Sequence, residues 1–135
     1  MLLLVADDDP SLRTALRLVF EDAGHEVLQA SSVHEVRDVL SCRIPDAVLI
    51  DAGMSEGGRM LWREMEGDPL HAGRTLLLTG NLPALGALRD HPSVLAKPFD
   101  YRALLSRIES LGPRRVRAQG AVDTGVASLT SVAST

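Results

Sequence analysis

Five polar residues of this chain, each standing where a short apolar run ends, belong to types that phosphoryl chemistry uses. They are Asp7, Asp8, Asp51, Thr79 and Lys97. Phosphoryl transfer requires positive charge around the oxygens of the phosphoryl group and an aligned nucleophile. An ammonium and a hydroxyl can contact those oxygens, while a carboxylate can act as the nucleophile and form an acyl phosphate. The residue types therefore predict a phosphoryl-transfer site, provided that the fold brings them together.

The acidic members of this set would need compensation if they met. Carboxylates in close contact raise one another's pKa values. Mg²⁺ prefers oxygen ligands, usually takes one or two carboxylates, and keeps waters and a substrate phosphate. The chain also holds one lysine, Lys97, among fourteen basic residues. Lysine offers a compact point charge where arginine offers a planar fork. We therefore predict Mg²⁺ and Lys97 as the compensating cations, against the alternative that coding bias left this lysine by chance.

Composition indicates one globular domain whose main body is acidic. The chain has 135 residues, of which 45% are hydrophobic and 3% aromatic, and its net charge is -4. Residues 1–112 hold 11 basic and 17 acidic groups, a net of -6. Because phosphate backbones are bound by clustered positive charge, nucleic acid is not predicted as a direct partner.

The cysteine content and the start of the chain favour a cytoplasmic protein. Cys42 is the single cysteine, so an intramolecular disulfide is impossible and a reducing compartment is expected. The apolar start at residues 1–5 lacks a basic segment before it and is followed by three aspartates, unlike a signal peptide. No apolar run approaches the roughly 20 residues that span a bilayer.

Short apolar runs alternate with segments of helical periodicity, which indicates repeated β-α units. Runs buried on both faces are typical of parallel strands, and strands joined through helices cross over with a right hand. We predict an α/β fold of the flavodoxin-like, doubly wound (βα)5 type, a three-layer sandwich with strand order 2-1-3-4-5. The predicted strands are 2–6, 26–30, 47–51, 75–79 and 93–96, and the predicted helices begin near 10, 33, 59, 83 and 100.

Several local features refine these elements. Ser32 and Glu35 have the spacing of a capping box. Met60, Leu61 and Met65 are predicted as the apolar positions of the third helix, and Trp62 as a packed or boundary residue. The four histidines are scattered without metal-ligand spacing and are predicted to be surface or boundary residues.

The end of the chain is predicted to lie outside the folded domain. Residues 1–112 would form the domain, and residues 113–135, rich in Ala, Ser, Thr and Gly, would form a disordered tail. The basic residues at 114, 115 and 117 are interpreted as a solvated end that complements the dipole of the preceding helix.

Ligands of open parallel sheets bind beyond the carboxyl ends of the strands, where the strand order reverses. All five polar residues would stand at that edge, and strands 1 and 3 would be neighbours there. Each residue also has a structural interpretation: the aspartates at 7–9 could cap the first helix, Asp51 could begin a turn, Thr79 could suit a strand, and Lys97 could belong to a loop. The joint placement favours function.

Over residues 2–111 the chain resembles the receiver domain of two-component response regulators. The motifs that carry the resemblance are Leu4-Val5-Ala6-Asp7-Asp8-Asp9-Pro10, Pro45-Asp46-Ala47-Val48-Leu49-Ile50-Asp51, Leu78-Thr79-Gly80 and Lys97-Pro98-Phe99.

The resemblance implies specific roles. Asp51 would accept a phosphoryl group from the phosphohistidine of a histidine kinase or a histidine phosphotransfer protein. Asp8 and Asp51 would bind Mg²⁺ directly, together with the main-chain carbonyl of Gly53, and Asp7 would assist, often through water. Thr79 and Lys97 would contact the phosphoryl oxygens. The peptide bond before Pro98 would be cis.

The chain departs from the family's pattern at four places. Ser55 replaces the usual proline after the phosphoacceptor, in a loop about one residue short. Gly53 puts no side chain beside the phosphoryl group, so water would reach it more easily. The segment from Thr79 to Lys97 is shortened. Val94 replaces the usual aromatic switch residue, and we hypothesise that signalling depends on loop rearrangement or onward phosphate transfer.

The resulting expectation is a stand-alone regulator or phosphate shuttle that is no enzyme beyond self-catalysed phosphotransfer and autodephosphorylation. Its downstream protein would bind the face of the fourth helix, fifth strand and fifth helix, without membrane contact. Three alternatives remain: the receiver segment of a hybrid sensor histidine kinase, an unphosphorylated pseudo-receiver that serves as a docking module, and an aspartyl-nucleophile phosphatase. The phosphatase is disfavoured because such enzymes need a second acid where Gly53 stands.

Overall fold

Five parallel strands form the central sheet of the computed structural model, which describes residues 1–114. Its strand order is β2-β1-β3-β4-β5, as predicted. The order brings the carboxyl ends of β1 and β3 side by side, since Ala6 pairs with Ile50 in the register. The strands are β1 (Leu2–Ala6), β2 (Glu26–Ala30), β3 (Ala47–Asp51), β4 (Thr75–Thr79) and β5 (Val94–Ala96).

Helices cover both faces of this sheet. Successive strand residues point to opposite faces: Leu4 packs with α2, α3 and the 3-10 segment, whereas Leu3 packs with α1 and α4. The three-layer architecture is therefore confirmed. The helices are α1 (Pro10–Asp22), α2 (Val33–Leu40), α3 (Gly58–Glu66) and α4 (Tyr101–Glu109), and the 3-10 segment is Leu82–Asp90.

The helix starts follow from side-chain caps. Asp9 accepts hydrogen bonds from the main-chain N–H groups of Ser11 and Leu12 and so begins α1. Ser32 accepts from the N–H of Glu35, which is half of the predicted capping box. The reciprocal half differs: the Glu35 carboxylate accepts from the N–H and hydroxyl of Ser31, one residue before the cap.

The buried face of α3 differs from the prediction at one position. Met60 is 76% exposed, so its assignment to the apolar stripe was wrong. Trp62 is buried instead, and its indole N–H donates to the carbonyl of Thr75 over 2.8 Å. The buried residues of α3 have the i, i+3, i+4, i+7 spacing of one helix face: Gly58, Leu61, Trp62 and Met65. The indole is buried at little cost because its one donor is paired.

The fourth helical position is occupied by 3-10 turns rather than by an α-helix. Gly86 lies in the left-handed region at φ +59° and divides the segment. Leu82, Leu85 and Leu88 nevertheless pack into the core on the α2 and α3 side of the sheet. The segment between β4 and β5 is thus interrupted at Gly86 and covers the sheet with 3-10 turns in place of a continuous helix.

The segment after α4 is fastened to the domain. Arg114 is half-buried, its main-chain N–H donates to Asp46, and its guanidinium donates to the carbonyls of Pro45 and Leu70. Its interpretation as a solvated helix end was therefore wrong. The rest of the predicted tail, residues 115–135, lies outside the described residues. Within residues 1–114, no helix has both the length and the apolar character needed to cross a bilayer.

Candidate functional site

The three predicted carboxylates meet at the carboxyl edge of the sheet. One oxygen each from Asp7, Asp8 and Asp51 can be chosen so that all three lie within 4.8 Å of one another. The Lys97 ammonium stands between two of these side chains, 3.1 Å from Oδ2 of Asp7 and 3.1 Å from Oδ1 of Asp51. Residues separated by up to 90 positions in the sequence thus form one cluster of charges.

Asp7, in the loop after β1, forms a hydrogen bond through each of its polar atoms. Its N–H donates to the carbonyl of Ala30 at the end of β2, over 3.1 Å. Its Oδ1 accepts from the N–H of Asp9, and its main-chain carbonyl accepts from the Arg13 guanidinium over 2.6 Å. Asp7 is consequently buried, whereas Asp8 beside it is exposed.

The loop after β3 approaches Asp51 by means of glycines. The N–H of Gly53 donates to Oδ1 of Asp51 over 3.2 Å. Gly57 takes a left-handed conformation at φ +95°, which favours glycine. Gly58 then begins α3 so close to β3 that a Cβ atom there would lie 2.1 Å from the main-chain oxygen of Asp51. The start of α3 therefore fits against the predicted phosphoacceptor only with glycine at position 58.

Thr79 and Lys97 come from the two strands beyond β3. Thr79 is buried, and its hydroxyl oxygen accepts from the N–H of Asn81 over 3.0 Å. The N–H of Lys97 donates to the carbonyl of Thr79, which continues the pairing of β4 with β5. The peptide bond between Lys97 and Pro98 is cis, as the resemblance implied.

The electrostatics of the cluster are dominated by burial and by the one ammonium. Burial raises the pKa of the Asp7 carboxyl above its usual range, although hydrogen bonds from Asp9 and Lys97 oppose the rise and the charge of Asp51 adds to it. Burial acts to lower the pKa of Lys97, but its bonds to Asp51 and Asp7 and their charges outweigh burial and raise it. Lys97 is therefore fully charged at neutral pH.

The donor set fits a magnesium ion. Ligand oxygens around Mg²⁺ lie about 2.1 Å from the ion and hence at most about 4.2 Å apart. The three chosen carboxylate oxygens lie within 4.8 Å of one another, which is close to that spacing. All of these donors are hard oxygen ligands, the type that Mg²⁺ prefers.

The structure adds two residues that the sequence did not single out, Arg13 and Gly58. Arg13 lies six positions after Asp7, in the first turn of α1, which is an unusual place for a cation because the helix dipole is positive there. Gly58 follows a second glycine just before α3. The cation near the start of α1 and the pair of glycines can both be seen in the sequence. The groups that Arg13 and Gly58 approach cannot.

The remaining candidates stay apart from this edge. His71 is buried, so its assignment to the surface was wrong, and it accepts from Arg114 at the amino edge of the sheet. Its pKa is lowered by burial and then by the charge of Arg114. Cys42 is exposed just after α2. The indole of Trp62 contacts His91 edge to face, with ring centroids 4.9 Å apart.

Comparison with known sequences gives a family match over most of the chain. The sequence model described as the response regulator receiver domain matches residues 3–109. The transcriptional regulatory protein PhoP of Escherichia coli K12 is 30% identical over 118 residues, covering 82% of this chain and 52% of that protein. The virulence transcriptional regulatory protein PhoP of Salmonella typhimurium LT2 is 28% identical over 120 residues, with coverage of 82% and 51%. This chain thus spans about half the length of these curated relatives.

Comparison with solved structures gives the same fold. A putative response regulator from Chloroflexus aurantiacus is 31% identical with a TM-score of 0.70, covering 82% of this chain and 95% of that one. The signal receiver domain of a DNA-binding response regulator from Colwellia psychrerythraea has a TM-score of 0.72 over 82% of this chain and 97% of that one. At 21% identity, the second similarity concerns the fold alone.

Proposed function

Because the chain belongs to the response regulator receiver domain family, we propose that it is a phosphoacceptor signalling module of a two-component or phosphorelay system. Asp51 takes a phosphoryl group from a histidine kinase with the aid of Mg²⁺, and the modified protein binds its partners differently. The observation that carries this proposal is the Lys97 ammonium, 3.1 Å from Asp51 and 3.1 Å from Asp7. An ammonium in that position can move to contact the phosphoryl oxygens once Asp51 carries a phosphoryl group.

The proposed reaction is an in-line displacement at phosphorus. A carboxylate oxygen of Asp51 attacks the phosphoryl group of a phosphohistidine and forms a P–O bond. The P–N bond breaks, its electron pair stays on the imidazole nitrogen, and that nitrogen takes up a proton. The product is an acyl phosphate on Asp51, which water later hydrolyses to the free carboxylate and inorganic phosphate.

The chain's own residues align and neutralise the reacting group. Lys97 turns from the two carboxylates toward the phosphoryl oxygens. The hydroxyl oxygen of Thr79 already accepts from Asn81, so its proton remains available for donation to a phosphoryl oxygen. Both residues stabilise charge where it accumulates, which is the main source of catalysis in phosphoryl transfer.

The acidic residues are the proposed magnesium ligands. Asp8 and Asp51 would hold the ion directly with the main-chain carbonyl of Gly53, and Asp7 would assist through water. When bound, Mg²⁺ supplies positive charge to the phosphoryl oxygens and to the carboxylates. The proximity of three carboxylates with one ammonium supports this assignment.

The proposed partners are proteins. The phosphoryl donor is a histidine kinase or a histidine phosphotransfer protein, and a downstream protein would bind the face formed by the 3-10 segment, β5 and α4. We propose that residues 1–112 form the receiver domain and that this domain acts in the cytoplasm as a regulator or phosphate shuttle.

One experiment tests the proposed function. The protein is incubated with Mg²⁺ and acetyl phosphate, or with beryllofluoride, and analysed by intact-mass spectrometry and by NMR. We expect one phosphoryl group per wild-type chain, none in Asp51→Asn, and normal modification in the control Asp22→Asn at the end of α1. Mass is preferred to fluorescence, since Trp62 is bonded to Thr75 at the opposite end of β4.

The outcomes separate the competing functions. No modification of the wild-type protein would contradict the proposal and favour the pseudo-receiver. Turnover of many phosphate esters that depends on Asp51 would favour the phosphatase.

A further inference from the structure

We propose that Arg13 is a positioning residue for the magnesium site, acting on the loop that carries Asp7 and Asp8. This inference rests on the proposed function of the carboxylate cluster. Arg13 contacts no predicted magnesium-ligand atom. Its guanidinium donates over 2.6 Å to the main-chain carbonyl of Asp7 instead.

The carbonyl that Arg13 binds belongs to the peptide bond between Asp7 and Asp8. A peptide unit is planar, so fixing its carbonyl oxygen also fixes the direction in which the next Cα atom leaves. The peptide on the other side of Asp7 is fixed by the bond from its N–H to Ala30. Arg13 and β2 together therefore hold the backbone of Asp7 from both sides.

Asp8 depends on this backbone more than its neighbours do. The carboxylate of Asp7 accepts from Asp9 and Lys97, and that of Asp51 accepts from Gly53 and Lys97. Within residues 1–114 the Asp8 carboxylate accepts no hydrogen bond, and the residue is exposed. Its orientation toward the cluster is thus set by the main chain alone, and Arg13 is the side chain that fixes the adjoining peptide.

The place of Arg13 in α1 supports a role outside the helix. A cation in the first turn opposes the helix dipole, so this residue is unfavourable for α1 itself. Its position is instead favourable for the loop after β1, because the guanidinium binds the main-chain carbonyl of Asp7 there.

The test compares Arg13→Met with the wild-type protein and with Arg17→Met. Methionine keeps an apolar stem but removes every donor, and Arg17 pairs with Glu21 one turn further along the same helix. Magnesium binding to the unphosphorylated protein is measured by calorimetry, and the melting temperature is measured in EDTA. The amide resonance of Asp8 is followed by NMR without metal.

We expect Arg13→Met to bind Mg²⁺ about tenfold more weakly, at the low end of the about 10- to 100-fold range for outer partners of metal ligands. Its melting temperature in EDTA should fall by less than about 4 °C, and its Asp8 amide resonance should move. Labelling by acetyl phosphate should need about tenfold more Mg²⁺ for half-saturation but reach the wild-type level at saturation. Arg17→Met should match the wild-type protein, and Arg13→Lys should recover part of the affinity.

Two results of the calorimetry would overturn the inference: equal Mg²⁺ affinity in wild type and Arg13→Met, or an equal loss in Arg17→Met. An unmoved Asp8 resonance in Arg13→Met would do the same. Failure of the proposed function is a different observation, because the wild-type protein itself would then not become phosphorylated.

Discussion

The two edges of the sheet both gather charged residues, but they do so to opposite effect. At the amino edge, Asp46 accepts from the N–H groups of Leu2 and Arg114, over 2.7 Å each. There Arg74 donates to the carbonyls of Asp46 and Gly112. At the carboxyl edge, three carboxylates lie together, and the Lys97 ammonium bonds two of them, those of Asp7 and Asp51.

The difference separates charges that fasten the fold from charges that we propose to act on a ligand. At the amino edge the partners are mostly main-chain groups, and the contacts join the start of β1 to the chain after α4. At the carboxyl edge the buried charge of Asp7 opposes folding, since burial raises the pKa of that carboxyl. A locally unfavourable arrangement that the rest of the fold maintains is the pattern expected of a functional site.

The largest effect should come from Gly58→Ala, which tests whether the carboxyl edge is built by close backbone approach. The new Cβ atom would lie 2.1 Å from the main-chain oxygen of Asp51, and neither helix nor strand can yield easily. We expect a loss of about 3 kcal/mol or more in the free energy of unfolding, at the upper end for overpacking, measured by urea denaturation. Gly80→Ala is the control, since nothing lies within 4 Å of that site. Equal stabilities of the two variants would show that α3 moves freely.

A smaller effect is expected at the amino edge from Asp46→Ala. The N–H groups of Leu2 and Arg114 would lose their acceptor, and an unpaired, partly buried donor costs about 1–3 kcal/mol. We expect a loss of about 2 to 3 kcal/mol in the free energy of unfolding, from the same urea titration. Asp38→Ala on the exposed side of α2 should change it by less than about 0.5 kcal/mol. An unchanged stability in Asp46→Ala would remove the contrast between the edges.

The smallest effect, and the one of opposite sign, is expected from Asp7→Asn. The raised pKa of Asp7 means that the folded state favours the protonated form, so ionisation above the unfolded pKa of about 3.9 progressively costs stability. Asparagine avoids this cost. We expect Asp7→Asn to melt about 4 °C higher at pH 7 without metal, equivalent to about 1 kcal/mol in a domain of this size.

The pH dependence checks the sign of this prediction. The gain in Asp7→Asn should be absent below the unfolded pKa of Asp7 and should grow as the pH rises through the raised folded-state value. Thermal melts in EDTA across that range measure it. A variant less stable than wild type at pH 7 would mean that the bond to Lys97 outweighs burial.

Much of the architecture could be predicted because it depends on local patterns. The strands β1 to β4 have the predicted bounds, since buried runs such as residues 47–51 are bracketed by turn residues. The parallel sheet with helices on both faces followed from the β-α alternation. The carboxylate cluster followed from the placement of Asp7 and Asp51 at strand ends, because parallel strands end at one edge.

The rest depends on contacts that no local pattern contains. Burial of Trp62 in α3 leaves its indole N–H in need of an acceptor, and the local sequence does not show that this acceptor is the carbonyl of Thr75. Arg114 meets Pro45 and Leu70 across 69 and 44 positions of the chain. The break at Gly86 depends on a left-handed glycine, which a sequence containing several glycines does not identify.

Gly53 connects this geometry to the duration of a signal. A Cβ atom at position 53 would lie 3.5 Å from Oδ2 of Asp51, so any side chain there would stand beside the acyl phosphate and hinder the approach of water. Glycine leaves that approach open. Under the proposed function, autodephosphorylation then ends the signal soon after the kinase stops supplying phosphoryl groups. A larger residue at position 53 would lengthen the lifetime of the acyl phosphate without replacing any side chain that takes part in the reaction.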